Sequence, residues 1–201
     1  MIIPGANSLC DNDYFTAHQS ELNDADYVIA QLETPIDDVY NLLVAAKEAK
    51  KVTILNPAPA PDTIPDLVLS HIDFLTPNET ELAKVAGMPT ETIPEITAAA
   101  EALLQRGVGN VLVTVGSRGA LLCNRNGSHL YPAYPQKAVD TTAAGDTFNA
   151  AFAVALAEGW TMDEAIVFAN AAAGLSVTRK GAQTSIPCRS EVLDFMRDHA
   201  L

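Results

Sequence analysis

Short apolar runs of strand length alternate with helix-length amphipathic segments along the first half of the chain. This alternation restricts the possible folds more than any other feature. Tyr27-Val28-Ile29-Ala30-Gln31-Leu32 is an apolar run that ends at Glu33. Thr34 and Pro35 then read as N-cap and first helical residue, with Asp37 and Asp38 in a first turn that favours negative charge. Ile36, Val39, Tyr40, Leu43 and Ala46 recur at helical spacing down to Lys50 and Lys51. Val52-Thr53-Ile54-Leu55 is the next strand, closed by the stiff loop Asn56-Pro57-Ala58-Pro59-Ala60-Pro61. Phe74-Leu75-Thr76 is a third strand, stopped by Pro77. Helices are expected over residues 78–86, with Gly87 as the residue that ends the first, and over residues 94–106. Residues 111–115 form a fourth strand. Strands joined by helices of this length need crossovers, so the sheet is mostly parallel and covered by helices on both faces.

The middle of the chain changes character. Residues 120–123 and 129–131 flank Asn126-Gly127, a strong hairpin signal that places antiparallel strands at one edge. The last third is helical. One helix runs over residues 147–158 and ends at Gly159, and Thr161-Met162-Asp163-Glu164 is a capping box opening a helix to about Val177. A final helix covers residues 190–199. The fold class is α/β. With 201 residues and no Ser/Gly linker, low-complexity tract or repeat, one domain is the simplest organisation.

Twelve Lys and Arg against twenty-five Asp and Glu give a net charge of −13. Such a surface repels phosphate backbones and anionic lipid, which argues against nucleic-acid and membrane partners. No apolar stretch is uninterrupted for the ~20 residues that a membrane span needs, and the start MIIPGANSL has no signal-peptide pattern. Cys10, Cys123 and Cys188 are far apart and odd in number, so a reducing cytoplasm is the natural compartment. His18, His71, His129 and His199 show no metal-ligand spacing.

In parallel sheets ligands bind where strands end and helices begin. Three segments fall at such exits: Asn78-Glu79-Thr80-Glu81, Thr114 to Gly119, and Asp140 to Asp146. In the last of these, Asp140-Thr141-Thr142-Ala143-Ala144-Gly145-Asp146 leads straight into an alanine-rich helix. Small side chains let the N–H groups of Ala143, Ala144, Gly145 and Asp146 approach an anion such as a phosphoryl group in transfer. A carboxylate at the mouth of an anion site repels its ligand unless it has a task there. Taking a proton from an attacking hydroxyl is one, so Asp146 reads as a base; an Asp that merely complements the helix dipole is the plainer alternative. Thr114-Val115-Gly116-Ser117-Arg118-Gly119 lacks the Lys-Ser/Thr ending of a Walker loop and by itself fits a β-turn. Asn78 and Glu81 share one side of a first helical turn, suited either to a hydrated Mg²⁺ or to a helix cap with an exposed Glu. Thr178-Arg179-Lys180-Gly181-Ala182-Gln183 reads as a solvated helix end.

The run DTTAAGDTFNAAFA over residues 140–153 resembles the C-terminal signature of the ribokinase branch of the PfkB carbohydrate kinases. LNPAPA at Leu55, TPNETE at Thr76, VTVGSRGA at Val113 and VTRKGAQTSIP at Val177 extend the resemblance, in the family's order and over almost the whole chain. It implies a ribokinase-like fold and MgATP-dependent phosphorylation of D-ribose at O5. By the same resemblance Asp146 is the catalytic base and also meets the sugar, and Ala143, Ala144 and Gly145 form the anion hole. Asn78, Asn170 and Thr114, Val115, Gly116, Ser117, Arg118 and Gly119 surround ATP. Glu81 completes an Asn-x-x-Glu pattern associated with Mg²⁺. Asp140, Thr142, Ser176, Arg179, Gly181 and Ser185 hold an activating monovalent cation, usually K⁺, mostly through carbonyls. Glu33 contacts the sugar.

The resemblance also implies that the glycine-rich sugar motif, a sugar-gripping Asp and the lid, which is the family's dimer contact, precede the point where this chain starts. Residues 1–7 resemble the strand that follows the lid. Two further expectations stand beside the ribose kinase: an ATP-binding remnant or partner-dependent fragment without the sugar clamp, and a PfkB kinase for another sugar.

Overall fold

In a computed structural model, which describes residues 5–199, every strand expected from the sequence is present. The strands are β1 (Tyr27–Ala30), β2 (Val52–Leu55), β3 (Phe74–Leu75), β4 (Asn110–Thr114), β5 (Ala120–Asn124) and β6 (Gly127–Tyr131). They lie in one sheet in chain order. Pairing is parallel from β1 to β4, with Tyr27 opposite Val52, Ile54 opposite Phe74 and Leu75 opposite Val111, and the sheet has an antiparallel edge. The helices are α1 (Asn12–Ala17), α2 (Gln19–Asp24), α3 (Ile36–Glu48), α4 (Asp66–Leu69), α5 (Glu79–Ala86), α6 (Ile93–Gln105), α7 (Ala144–Ala157), α8 (Met162–Ser176) and α9 (Arg189–Asp198). Among the described residues no helix is long and apolar enough to cross a membrane.

The chain divides into two compact units. The first comprises Met1–Val113 with Leu122–Ser128. Its centre is β2, where Thr53, Ile54 and Leu55 are fully buried. From α3, Val39, Leu43 and Ala46 turn inward, and α6 buries Ile96, Ala99, Ala100 and Leu103, the heptad-like spacing that puts one face of a helix against a sheet. The amino ends of the strands are tied by Asp73. Its Oδ2 accepts the Thr53 N–H at 3.0 Å, its N–H donates to Thr53 Oγ1 at 3.0 Å, and its Oδ1 pairs with Lys47. Its carbonyl accepts the Asn110 amide at 2.9 Å.

The second unit comprises Thr114–Leu121 with His129–Leu201. It is built on the antiparallel pair α7 and α8, whose alanines allow close approach. Phe148, Phe152, Ala153 and Ala155 from α7 and Ala165, Ile166, Ala169 and Ala172 from α8 are buried.

The structure corrects several boundaries. β1 stops at Ala30, before Gln31 and Leu32, because the Leu32 N–H leaves the ladder and donates to Ala58 O at 2.9 Å. Pro35 is itself the cap of α3, with an extended ψ of 114°, so Thr34 is not. The expected helix over residues 147–158 starts three residues earlier, at Ala144. The six-residue α1 and α2 and the one-turn α4 were not expected; neither α1 nor α2 has a buried residue that would leave a periodic apolar signal. Of the segment likened to a strand, residues 1–4 lie outside the described residues, and Gly5–Leu9 is a 3₁₀ helix.

Phe152 is fully buried and stacked 6.5 Å from Phe148. Phe152→Ala is expected to cost about 3–5 kcal/mol, read as a lower urea midpoint with an unchanged slope.

Candidate functional site

In the second unit two loops are drawn together by one carboxylate. Asp140 Oδ1 accepts the Thr142 N–H at 3.0 Å, and Oδ2 accepts the Gly181 N–H at 3.0 Å. The N–H groups of Val139 and Asp140 both donate to Val177 O, at 2.7 and 3.1 Å. These two N–H bonds, from Gly181 and then Thr142, hold the Asp140 carboxyl down at about 2, with Lys180 adding a smaller attraction. The approach to α7 and the exit of α8 are thus one assembly.

The start of α7 is unusual. Ala143 caps the helix in the left-handed region, at φ 59° and ψ 15°, where an L-residue is strained by roughly 1–2 kcal/mol. Ala143 O accepts both the N–H and the hydroxyl of Thr147, at 2.9 and 2.8 Å, which holds that conformation. The Ala144 N–H turns back to Thr141 O at 3.2 Å. Gly145 and Asp146 occupy the next two positions, where helix N–H groups have no intrahelical acceptor, and both are exposed. A Cβ on Gly145 would meet nothing within 4 Å. The first turn thus carries two exposed residues, Gly145 and Asp146, with room beside Gly145 where a side chain would lie, while the Ala144 N–H is engaged by Thr141 O.

Thr114 to Gly119 is a tight turn in the same unit. Val115 N–H donates to Gly119 O at 2.8 Å, and a 3₁₀ turn spans Gly116–Arg118. Gly116 and Ser117 are exposed, and Gly116 has open space where a side chain would lie. Gly119 is the opposite case. It sits at φ 106°, and a Cβ there would collide with Tyr131 O, Ala133 N and Pro132 C. Asn170, on α8, is buried, and its amide donates to Tyr131 O at 3.2 Å and to Pro132 O at 3.4 Å.

Of the residues expected around a monovalent cation, Ser176 and Ser185 are fully buried and their hydroxyls donate to Ala173 O and Ala182 O, at 2.8 and 2.7 Å. Arg179 directs its guanidinium to Glu191, with Nη2 at 2.6 Å from Oε1, which holds the Glu191 carboxyl down at about 2. Side chains are thus largely engaged within the protein, and carbonyl oxygens with Asp140 are the donors left for a cation, a hard-oxygen set. Among the described residues no cluster of three or more His, Cys, Asp or Glu is present.

In the first unit Asn78 and Glu81 form a full capping box on α5: Glu81 N–H to Asn78 Oδ1 at 2.9 Å, Asn78 N–H to Glu81 Oε2 at 2.8 Å. Burial pushes the Glu81 carboxyl up, partly offset by hydrogen bonds from Asn78 and Asn56. Asn56 follows β2; its amide donates to Thr76 O at 2.8 Å and its oxygen accepts from Gln31 at 3.4 Å. Gln31 and Asn56 went unassigned in the sequence reading, since only the parallel register that sets Ala30 opposite Leu55 brings them together. Glu33 lies exposed just beyond β1. A carboxylate and amides at the start of a helix are oxygen groups of the kind that could hold Mg²⁺ through water.

The family model for pfkB family carbohydrate kinases matches residues 1–189. The chain is 39% identical over 200 residues to a ribokinase of Haemophilus influenzae, which covers 100% of this chain and 65% of that protein. It is 34% identical over 196 residues to a deoxyribokinase of Salmonella typhi, covering 98% of this chain and 64% of that one. The solved structure of Arabidopsis thaliana ribokinase complexed with ribose and ATP superposes with a TM-score of 0.89 at 38% identity, covering 98% of this chain and 64% of the other. The chain thus spans just under two thirds of the length of these relatives.

The Asp140 bridge has a pH signature. A carboxyl held at about 2 in the folded chain stabilises fully above the ordinary Asp range near pH 4, and loses that contribution as pH falls through about 2. Asp140→Asn is expected to lower the melting temperature at pH 7 and to flatten its fall between about pH 4 and pH 2, measured by thermal unfolding in a pH series.

Proposed function

The chain belongs to the pfkB family of carbohydrate kinases, and on that premise we propose that it acts in MgATP-dependent phosphorylation of D-ribose at O5, as one ribokinase-like kinase domain. The observation that carries this reading is the first turn of α7, where the exposed Asp146, a carboxylate, directly follows the exposed Gly145 at a helix N-terminus. A base and an anion-stabilising donor on adjacent residues is what an in-line phosphoryl transfer to a hydroxyl requires. The deoxyribokinase among the relatives supports, as a second reading, a kinase for a related pentose.

In this mechanism Asp146 accepts the proton of the attacking O5 hydroxyl. The bond from O5 to the γ-phosphorus forms as the bond to the bridging β,γ-oxygen breaks, and ADP leaves with the electrons of that bond. The Gly145 amide, backed by the partial positive charge of α7, stabilises negative charge on the phosphoryl oxygens, assisted by the chain at Ala143 and Ala144. Thr114 to Gly119 and Asn170, with Asn78, hold the nucleotide. Glu33 and Asp146 orient the sugar. When bound, Mg²⁺ held through water by Glu81 would neutralise phosphate charge, and K⁺ among the carbonyls of residues 140–142 and 176–185 would fix the loop that carries the Gly145 amide. The acidic surface and the three separate cysteines fit a cytoplasmic enzyme acting on small molecules.

The test is ribose-dependent ADP release with Mg²⁺ and K⁺ present. Asp146→Asn is expected to lower kcat by a factor of about 100 to 10,000 while calorimetry shows MgATP binding nearly unchanged. Retained turnover in that variant overturns the base assignment. Absence of turnover in the unsubstituted chain, folded and binding MgATP, leaves a nucleotide-binding unit that needs further polypeptide for its sugar.

A further inference from the structure

The segment between α8 and α9 is closed by one carboxylate. Glu191, in the first turn of α9, takes two nitrogens of Arg179, Nη2 on Oε1 at 2.6 Å and Nη1 on Oε2 at 3.4 Å. The same Oε2 accepts the Cys188 N–H at 2.8 Å. One rigid group thus holds both ends of residues 179–188. Between those ends the backbone is knotted on itself. Thr184 Oγ1 donates to Lys180 O at 3.1 Å, Ser185 Oγ donates to Ala182 O at 2.7 Å, and a side-chain carbon at Gly181 would collide with Thr184 Oγ1. A segment folded in this way moves as a piece, so its orientation is set where it is held. Glu191 is one hold, and the Gly181 N–H on Asp140 at 3.0 Å is another. Helix α9 is itself fixed to its surroundings: Val192 is buried, Phe195 lies 5.0 Å from Tyr134, and Arg189 pairs with Glu158 and lies over the Trp160 ring. A half-exposed ion pair adds little to stability, but a guanidinium fork gripped bidentately fixes direction.

We propose that Glu191 is a positioning residue for the first turn of α7. By fixing Arg179 it keeps the Gly181 N–H on Asp140, and Asp140 in turn holds Thr142, one residue before the left-handed Ala143 from which Gly145 and Asp146 continue. The Glu191 carboxylate is engaged by Arg179 and Cys188, so it acts through backbone rather than at the reacting atoms. Developing charge is stabilised by donors already aimed at it, so loosening this chain of contacts slows transfer more than it weakens substrate binding. This rests on the reading of the α7 turn as the site of phosphoryl transfer.

The test combines amide hydrogen exchange with steady-state turnover on the full chain carrying Glu191→Ala. The Gly181 and Thr142 amides are expected to exchange about tenfold faster, the scale of one lost charge-assisted hydrogen bond, while Ala169 and Ala172 in the body of α8 keep their protection. With Mg²⁺ and K⁺ present, kcat is expected to fall about tenfold while KM for ribose and for MgATP changes less than about twofold, the split that marks a loss confined to the transition state. Arg179→Met should give similar losses, and the double variant no more than the worse single change, since both remove one pair. Unchanged exchange at Gly181 and Thr142 overturns the proposal. So does faster exchange that extends equally into α8, which a merely structural role would produce, and so do losses that multiply in the double variant. If Glu191→Ala does not fold, Glu191→Gln, which keeps an acceptor for the Cys188 N–H, takes its place. Absence of turnover in the unsubstituted chain overturns the phosphoryl-transfer reading itself, whereas turnover with an unchanged kcat in Glu191→Ala overturns only the role of Glu191.

Discussion

A parallel pair of strands cannot be closed by a tight turn; the chain must travel back over the sheet before it can pair again. That requirement shapes the first unit, where β1 to β4 run parallel and α3, α5 and α6 supply return segments. It also sorts the strand ends by task. Carboxyl ends open into loops and helix starts, so Gln31, Asn56 and Asn78 gather there with their polar atoms linked to one another or to backbone. Where the chain no longer needs to cross over, at the hairpin of β5 and β6, the connection shrinks to Arg125 and Asn126.

The second unit solves a different problem, that of holding irregular backbone still. Helices α7 and α8 pack through alanines and leave little side-chain volume to brace the loops at their ends. Hydrogen bonds to main chain do this instead. The carboxylate of Asp140 binds the N–H of nearby Thr142 and that of Gly181, 41 residues along the chain, and the amide of Asn170 binds two carbonyls. Both are single side chains that restrain two stretches of backbone. Such devices suit a site that must present amides in fixed directions, since stabilisation of developing charge depends on donors already in place.

Much of this was legible before any coordinates, and the failures share a cause. The capping box at Thr161, the hairpin at Asn126-Gly127 and the inward face of α3 are local signals, and all three are found where the residues place them. Thr92, three residues before Glu95, is another capping box whose pattern was available but went unread. Helix α7 begins early because Ala143 adopts a left-handed conformation, which no alanine propensity announces. Only the surrounding contacts, chiefly Ala143 O to Thr147, make that conformation tolerable. The pairing of Asn56 with Glu81 is invisible in sequence for a related reason: the two residues meet through sheet register and helix placement. The motif residues at positions 114–119 and 140–146 were identifiable as a set, but the engagement of Ala144 N–H by Thr141 O belongs to geometry alone.

The amino ends of β2 and β3 deserve a different kind of reading from the loops. There Thr53, Asp73, Lys47 and Asn110 satisfy one another, and Gly109 packs so that a side chain would meet Asp73 O. Thr53, Asp73 and Asn110 all lie at or just before the amino ends of β2, β3 and β4. Substitutions in the first unit should therefore separate by rim. Changes at the Asp73 end reduce the amount of soluble folded protein a cell accumulates and leave the specific activity of the survivors alone. Changes at the Asn56 end do the reverse. A library sorted once for abundance and once for turnover would draw that line across the sheet from phenotype alone.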